Sequence, residues 1–505
     1  MRGLYSSKTQ IRHKIFTEIA RMAYEGDDPA KLEELPYQII PGEVSEYRND
    51  IFIERAVVGE RLRVAMGMSL RSITEHAPIS QGVEASIIEE KYYEPPLINV
   101  IKFACNACTE NRVFVTEGCQ GCLDHPCTEV CPKKVIHRKA GNRTWIDEEN
   151  CIKCGRCIEA CPYNAIIHQE RPCSKACGMD AIHSDQYGRA EIDQDKCVSC
   201  GMCLVSCPFC AIVDKGQIYQ TIMALKSDTP VIALLAPAVA GQFREMQNNK
   251  IKAAFRELGF TEVREVAVGA DLCTIEEAKD FLKEVPENLP FMATSCCPSW
   301  SVMAKKLFPE QAKCISMAMT PMVLSARLIK ESNPDCKIVF IGPCAAKKLE
   351  ASRKSIRSYV DFVLTFEEVG GMMEAKKIDW DKLPDEGLLT GPSSDGRGFA
   401  VSGGVAKAVA NAIKRLDPER EIKVVNAEGL KECKKMLQLA KAGKYNGYLL
   451  EGMACPGGCI AGAGTLEPLK KSTTALEKMM KEATFEESLD TKYENRLAGI
   501  KNLDI

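Results

Sequence analysis

The sequence predicts a multidomain protein of mixed α+β and α/β class, and three observations lead there. A chain of 505 residues is long enough for several cores. Seventeen of its 26 cysteines fall between Cys105 and Cys210, a stretch poor in long apolar segments. Beyond about residue 228, short apolar runs alternate with helical spacing, which is the pattern of an α/β domain with largely parallel sheets.

Taken in order, residues 1–98 lack cysteine and form a mainly helical region, with repeated apolar spacing in Ile11–Tyr24 and Ile51–Met68. The stretch Tyr92–Pro96 breaks that pattern and predicts a linker. Residues 99–215 form a second domain in which metal ligation must replace missing apolar burial. Residues 228–470 form the α/β domain, whose expected strands are Val231–Leu235, Leu289–Ala293, Lys337–Ile341, Phe362–Thr365, Lys423–Val425 and Tyr448–Glu451. Residues 471–505, rich in Lys and Glu, predict a solvated helical tail.

Composition removes several function classes. With 66 basic and 69 acidic residues the formal charge is −3, which gives no field suited to nucleic acid or an anionic membrane. The longest apolar run, Val231–Ala240, is ten residues with Pro237 inside it, so no membrane-crossing helix is expected. The N-terminal residues carry neither an apolar signal core nor an arginine pair, and the expected compartment is cytoplasmic. The last of six histidines is His183, so the C-terminal 322 residues hold no Ser–His–Asp triad, Cys–His pair or histidine-ligated zinc.

In a reducing compartment, cysteines grouped this tightly are metal ligands. Cys151-x2-Cys154-x2-Cys157-x3-Cys161-Pro162 and Cys197-x2-Cys200-x2-Cys203-x3-Cys207-Pro208 have the bacterial ferredoxin spacing, in which three thiolates wrap one cubane and the fourth ligates its neighbour. Zinc would leave the extra cysteines unexplained. A third run, Cys119-x2-Cys122-x4-Cys127-x3-Cys131-Pro132, resembles the variant found in multi-cluster electron-transfer subunits. The pairs Cys105/Cys108 and Cys173/Cys177 remain. Twenty residues separate Cys131 from Cys151, and twenty separate Cys177 from Cys197. That equality predicts tandem ferredoxin-like units, the second completed by Cys105 and Cys108. Sixteen cysteines would then hold four [4Fe-4S] clusters, the alternative being three clusters with two structural pairs. Cys210 is left as a buried free thiol.

Three further segments follow expected strands: Thr294-Ser-Cys-Cys-Pro-Ser-Trp300, Gly342-Pro-Cys-Ala-Ala-Lys-Lys-Leu-Glu350 and Glu451-Gly-Met-Ala-Cys-Pro-Gly-Gly-Cys459. They place four or five thiolates beside Gly, Pro and Lys347, where one cubane needs four. In open α/β sheets, sites form at the carboxyl ends of strands.

In this order, after ferredoxin-like motifs, the three segments resemble the signature motifs of the [FeFe] hydrogenases, a likeness covering about residues 100–470. The resemblance implies reversible reduction of protons to hydrogen. It also implies an H-cluster, in which a cubane on Cys297, Cys344, Cys455 and Cys459 is bridged through Cys459 to a two-iron subcluster. That subcluster would bear CO, CN and azadithiolate ligands. It further implies Cys296 as the last proton donor, Lys347 on a cyanide, Met453 near the bridging carbonyl, and Ala236 and Pro237 on the opposite side. Ser316, Glu350 and Asp280 would continue the proton path, Asp280 standing where the family has a glutamate. Gly342, Met322 and Ala463 depart from the better-studied enzymes and resemble the less-studied group B.

The implied partners are ferredoxin, or a similar one-electron carrier, and the maturation proteins. A hydrogen sensor and a non-catalytic relative in iron–sulfur assembly are the alternatives. Cys273, Cys314, Cys336 and Cys433 are expected in the core, Glu276 and Glu277 as surface charges, and Ser402-Gly-Gly-Val405 as a tight turn.

Overall fold

The computed structural model describes residues 6–353 and 359–501; the ends of the expected N-terminal region and C-terminal tail lie outside them. Among the described residues the α/β domain has two separate parallel sheets. One has four strands in the order Glu262–Glu265, Val231–Leu235, Lys337–Ile341, Phe362–Leu364. The other has three, in the order Met292–Ala293, Tyr448–Met453, Lys423–Glu428. All six expected strands are present. The seventh, Glu262–Glu265, was not expected: two glutamates and an arginine in four residues carry no apolar signature, which an edge strand does not need.

Central strands Val231–Leu235 and Lys337–Ile341 are buried almost throughout, as parallel strands covered on both faces must be. Helix Pro321–Ser332 covers one side, and helix Ala267–Glu284 packs on it. The N-terminal helix Ser7–Glu25 lies against Phe366–Ala375, with Gly371 allowing close approach: a Cβ there would stand 2.6 Å from that of Phe16. The N-terminal region is thus joined to the α/β domain through a shared core containing Ile15, Ile19, Phe366 and Met372.

The expected solvated tail is instead partly a core element. In helix Leu469–Lys481 the side chains of Leu476 and Met479 are buried, as are Leu497 and Ile500 further on. Its Lys and Glu residues occupy the outward face, and composition alone concealed the apolar stripe beneath them.

The cysteine-rich region is built from four two-stranded antiparallel pairs. Arg112–Val115 pairs with Ile166–Gln169 around the hairpin Ile136–Arg138/Thr144–Ile146. Ile98–Val100 pairs with Ile212–Asp214 around the hairpin Ile182–Ser184/Ala190–Ile192. The two ferredoxin-like units therefore follow one another in their long cysteine runs, while the chain nests the first inside the second. No helix among the described residues is long and apolar enough to cross a membrane.

Candidate functional site: cysteine quartets and a cysteine-lined cavity

The nested chain path brings distant cysteines together. Cys151, Cys154 and Cys157 share a cavity of about 350 Å³ with Cys131. Cys119, Cys122 and Cys127 share one of about 340 Å³ with Cys161. Cys105, Cys108 and Cys173 share one of about 320 Å³ with Cys207. A fourth group shows in mutual repulsion: burial first, and then Cys200, Cys197 and Cys177, push the Cys203 thiol far above its usual range. Each group takes three cysteines from one side of its unit and one, next to Pro or from the degenerate run, from the other.

Burial raises Cys157 and Cys173 to about 11 and Cys200 to about 12. Thiols held this way do not ionise alone, and cationic iron would take the place of their protons. The donor set, all sulfur and for three of the quartets in near-equal cavities, fits iron–sulfur cubanes.

The three C-terminal segments converge on one cavity of about 870 Å³, lined by Cys297, Cys344, Cys455 and Cys459. Cys296, Lys347, Met453, Ala236 and Pro237 also line it, as does Cys200 of the neighbouring quartet. Ser299 ties the two regions, its hydroxyl donating to Val198 O at 3.1 Å. Local folding explains the convergence. Cys297 and Cys344 end strand-to-helix loops as the residues before helices Pro298–Leu307 and Ala345–Ala351, whose N-terminal ends favour thiolate. Cys455 and Cys459 flank a turn in which Gly458 has φ +83° and a Cβ would sit 2.5 Å from Ser402 N. Burial raises Cys344 to about 11 and Cys459 further still. The donor set again fits a thiolate-held iron cluster.

Glu451, at the head of the third segment, is fully buried and accepts hydrogen bonds from Gly403 N and Ala406 N, both at 2.8 Å. It caps helix Gly404–Leu416 through the turn expected at Ser402–Val405, and burial holds its carboxyl at about 7. Trp300 locks the first segment to the third: its indole N–H donates to Thr294 O at 2.9 Å and its ring covers Gly452, where a Cβ would lie 2.2 Å from it. Gly452→Ala is expected to destabilise the protein by about 1–3 kcal/mol, read from denaturant unfolding; an unchanged midpoint would show that Trp300 yields freely.

Gly342 is likewise covered, by the ring of Phe340 at 2.7 Å from an added Cβ, so the cavity wall there is aromatic. Met322 is fully buried in the same wall, and Ala463 packs against Gly201, whose added Cβ would meet it at 2.6 Å. Cys273, Cys314, Cys336 and Cys433 are buried, as expected. Cys210 is half-buried rather than buried, and Arg61 Nη2 donates to its sulfur at 2.8 Å.

The acids are arranged differently from the sequence expectation. Glu277 is not a surface charge but fully buried, and Glu276 is buried beside it, paired with Lys501 at 2.5 Å. Glu277 Oε1 accepts from Ser295 N at 3.2 Å. Burial raises its carboxyl to about 8 against the pull of Ser295 N and the Ser316 hydroxyl. Burial, then Glu277, keeps the Cys296 thiol protonated. Asp280 is half-exposed one turn further along helix Ala267–Glu284, raised by burial and opposed by Lys501 and Lys283. Glu350 is buried on Lys347 at 2.6 Å and accepts from the Thr320 hydroxyl at 2.7 Å. Burial disfavours the charge of Lys347, but Glu350 and the thiols restore it and carry it above the usual lysine range. Its ammonium approaches Cys296 O at 3.5 Å.

An all-thiol set of quartets leading to a cysteine-lined cavity at strand ends defines an iron–sulfur protein of oxidoreductase type. The family described as iron only hydrogenase large subunit, C-terminal domain, matches residues 229–463, and a 4Fe-4S binding domain matches residues 144–167. Iron hydrogenase 1 of Clostridium pasteurianum is 29% identical over 63% of this chain and 64% of its own length. The periplasmic [Fe] hydrogenase large subunit of Nitratidesulfovibrio vulgaris is 30% identical over 48% of this chain and 72% of its own. A probable cytosolic Fe-S cluster assembly factor of Aedes aegypti is 27% identical over 46% and 60%. The chain belongs to the iron-only hydrogenase family.

Proposed function

We propose that the protein is an [FeFe] hydrogenase that interconverts protons, electrons and hydrogen, with a ferredoxin-like carrier as electron partner and dedicated maturation proteins supplying its two-iron subcluster. The observation that carries this reading is the cavity of about 870 Å³, more than twice the volume of each accessory cavity, with Cys296, Lys347 and Met453 on its wall beside four cysteines. The additional space supports a bound group larger than one cubane.

In this reading Cys297, Cys344, Cys455 and Cys459 hold the cubane part of an H-cluster, and the bound group supplies the redox chemistry at hydrogen. The chain's own residues bring charge to it. Lys347 presents an ammonium into the cavity and is kept charged and oriented by Glu350. Met453, Ala236 and Pro237 supply an apolar wall that limits water. Cys296 Sγ holds the innermost proton; Glu277, beside Ser316, recharges it, and Asp280 joins the path to solvent. The quartets described above would hold four accessory [4Fe-4S] clusters, which would supply an electron path, and Cys200 brings one quartet to the cavity edge.

Infrared spectroscopy of protein co-expressed with hydrogenase maturation proteins tests the proposal. Metal carbonyl and cyanide stretches are expected. Their absence from protein whose cubanes are loaded would overturn the hydrogenase reading in favour of an assembly role.

A further inference from the structure

The first ferredoxin-like unit stands apart from the catalytic cavity. The α/β domain reaches the second unit through Ser299 to Val198, Lys306 to Asp195 and Lys431 to Lys175, whereas the elements between Arg112 and Gln169 pack mainly on one another. Within that outlying unit the quartet Cys131, Cys151, Cys154 and Cys157 opens to solvent. Cys154 is classed exposed, whereas every other cysteine of the chain is partly or fully covered.

The surroundings of Cys154 have one sign of charge. Lys133, Lys153 and Arg156 line its cavity, which has no acidic residue in its wall. Lys134, Arg138 and Lys139 follow on the adjoining strand and turn, and all six cations are exposed. None of the six has an ion-pair partner among the described residues, although the unit's other cations, Arg112 and Arg143, are paired to Glu148 and Glu117. Residues 131–157 hold seven Lys and Arg against three Asp and Glu, in a chain whose net charge is −3. Of those acids, Glu148 is paired to Arg112, and Asp147 accepts from the amide of Asn150 in its own turn. Ile152, 54% exposed, sits among the cations beside Cys154.

An apolar centre with a charged rim over an exposed cluster ligand is the anatomy of a transient electron-transfer interface. Unpaired cations at such a rim accelerate encounter with an oppositely charged partner and fix its orientation. We propose that the face around Cys154 is the electron port, and that Lys133, Lys153 and Arg156 dock an acidic one-electron carrier protein over it. This rests on the electron-relay reading above and names where, and with what kind of partner, the relay begins. One electron passes per encounter from the reduced carrier to the cubane on the Cys154 quartet, with no bond made or broken.

The test uses protein carrying its cubanes but matured without the two-iron subcluster, so hydrogen turnover plays no part. Stopped-flow absorbance follows its reduction by a reduced acidic [4Fe-4S] ferredoxin. The second-order rate is expected to fall about 10-fold or more as ionic strength rises from about 0.02 to 0.3 M. The charge reversal Lys133→Glu/Lys153→Glu/Arg156→Glu, with iron content checked, is expected to cause a comparable loss at low salt. Reversal of Lys470, Lys471 and Lys478 on the opposite domain should cause none. A salt-independent wild-type rate, or equal rates for both reversals, would each overturn the port. Each of these outcomes leaves the infrared test of the hydrogenase reading untouched.

Discussion

Replacing Glu277 with glutamine is expected to slow hydrogen evolution by about 10²- to 10⁴-fold, with iron content and infrared bands unchanged. Glutamine keeps an oxygen for Ser295 N and fits the same buried space, so the fold is spared; what it lacks is a transferable proton. The Cys296 thiol is buried and raised well above its ordinary range, so it cannot persist as thiolate after giving up its proton and must be recharged at once. Glu277, at about 8 and with the Ser316 hydroxyl beside it, is the acid placed to do so. The sign follows: Glu277 is protonated below about pH 8, so evolution should fall as pH rises through that value, while hydrogen oxidation, which needs the carboxylate, should gain. Cys296→Ser should likewise abolish most turnover with the clusters assembled. Asp280→Asn should cost only a few-fold, because a half-exposed position can be bypassed by water. Near wild-type turnover in Glu277→Gln would place the proton entry elsewhere.

Why the sequence placed the weight on Asp280 instead is instructive. Two adjacent glutamates in Thr274-Ile-Glu-Glu-Ala-Lys-Asp280 read as solvated charge, since burying a carboxylate is costly unless partners meet it. The partner of Glu277 is Ser295 N, brought in from another loop with the Ser316 hydroxyl near by, and nothing local announces them. The same limit hid the capping role of Glu451, whose helix begins about 47 residues earlier in the chain. By contrast, the central strands Val231–Leu235, Lys337–Ile341 and Tyr448–Met453 were legible because buried runs of Val, Ile and Leu leave a local signature, and the second and third cysteine segments were legible because they lie at the ends of such runs. The buried stripe of helix Leu469–Lys481 escaped because charged residues on its outer face outnumber the apolar ones within, and the strand Glu262–Glu265 because its buried residue is itself charged, Glu265 meeting Arg397 from a distant helix.

The cysteine ladder supplies the other large effect. Substituting Cys105 and Cys108 by serine is expected to remove about four irons from protein that lacks the two-iron subcluster, lowering its content from about twenty to about sixteen per chain. The expectation rests on chain path rather than on motif. Cys207 closes the ferredoxin run that begins at Cys197, yet it lines a cavity with Cys105, Cys108 and Cys173. Strand Ile98–Val100, paired with Ile212–Asp214, carries the first two cysteines to that cavity from upstream of the inserted unit. Burial raises the Cys173 thiol to about 11 and the charge of Cys207 adds to it, so an empty quartet would remain protonated and a loaded one ligated by thiolates. A wild-type content near sixteen irons, unchanged in the double variant, would mean three accessory cubanes and leave the quartet of Cys105, Cys108, Cys173 and Cys207 without one. The outcome also bears on the electron path. The quartet with Cys207 lies in the same unit as that with Cys200, and Cys200 borders the catalytic cavity. If electrons from the Cys154 port reach the cavity through the Cys207 quartet, the double variant should take up electrons at the port yet pass few of them on. Freeze-quenched EPR would then show reduced outer cubanes beside an oxidised catalytic cluster; equal reduction of both would show that the outer unit reaches Cys200 directly.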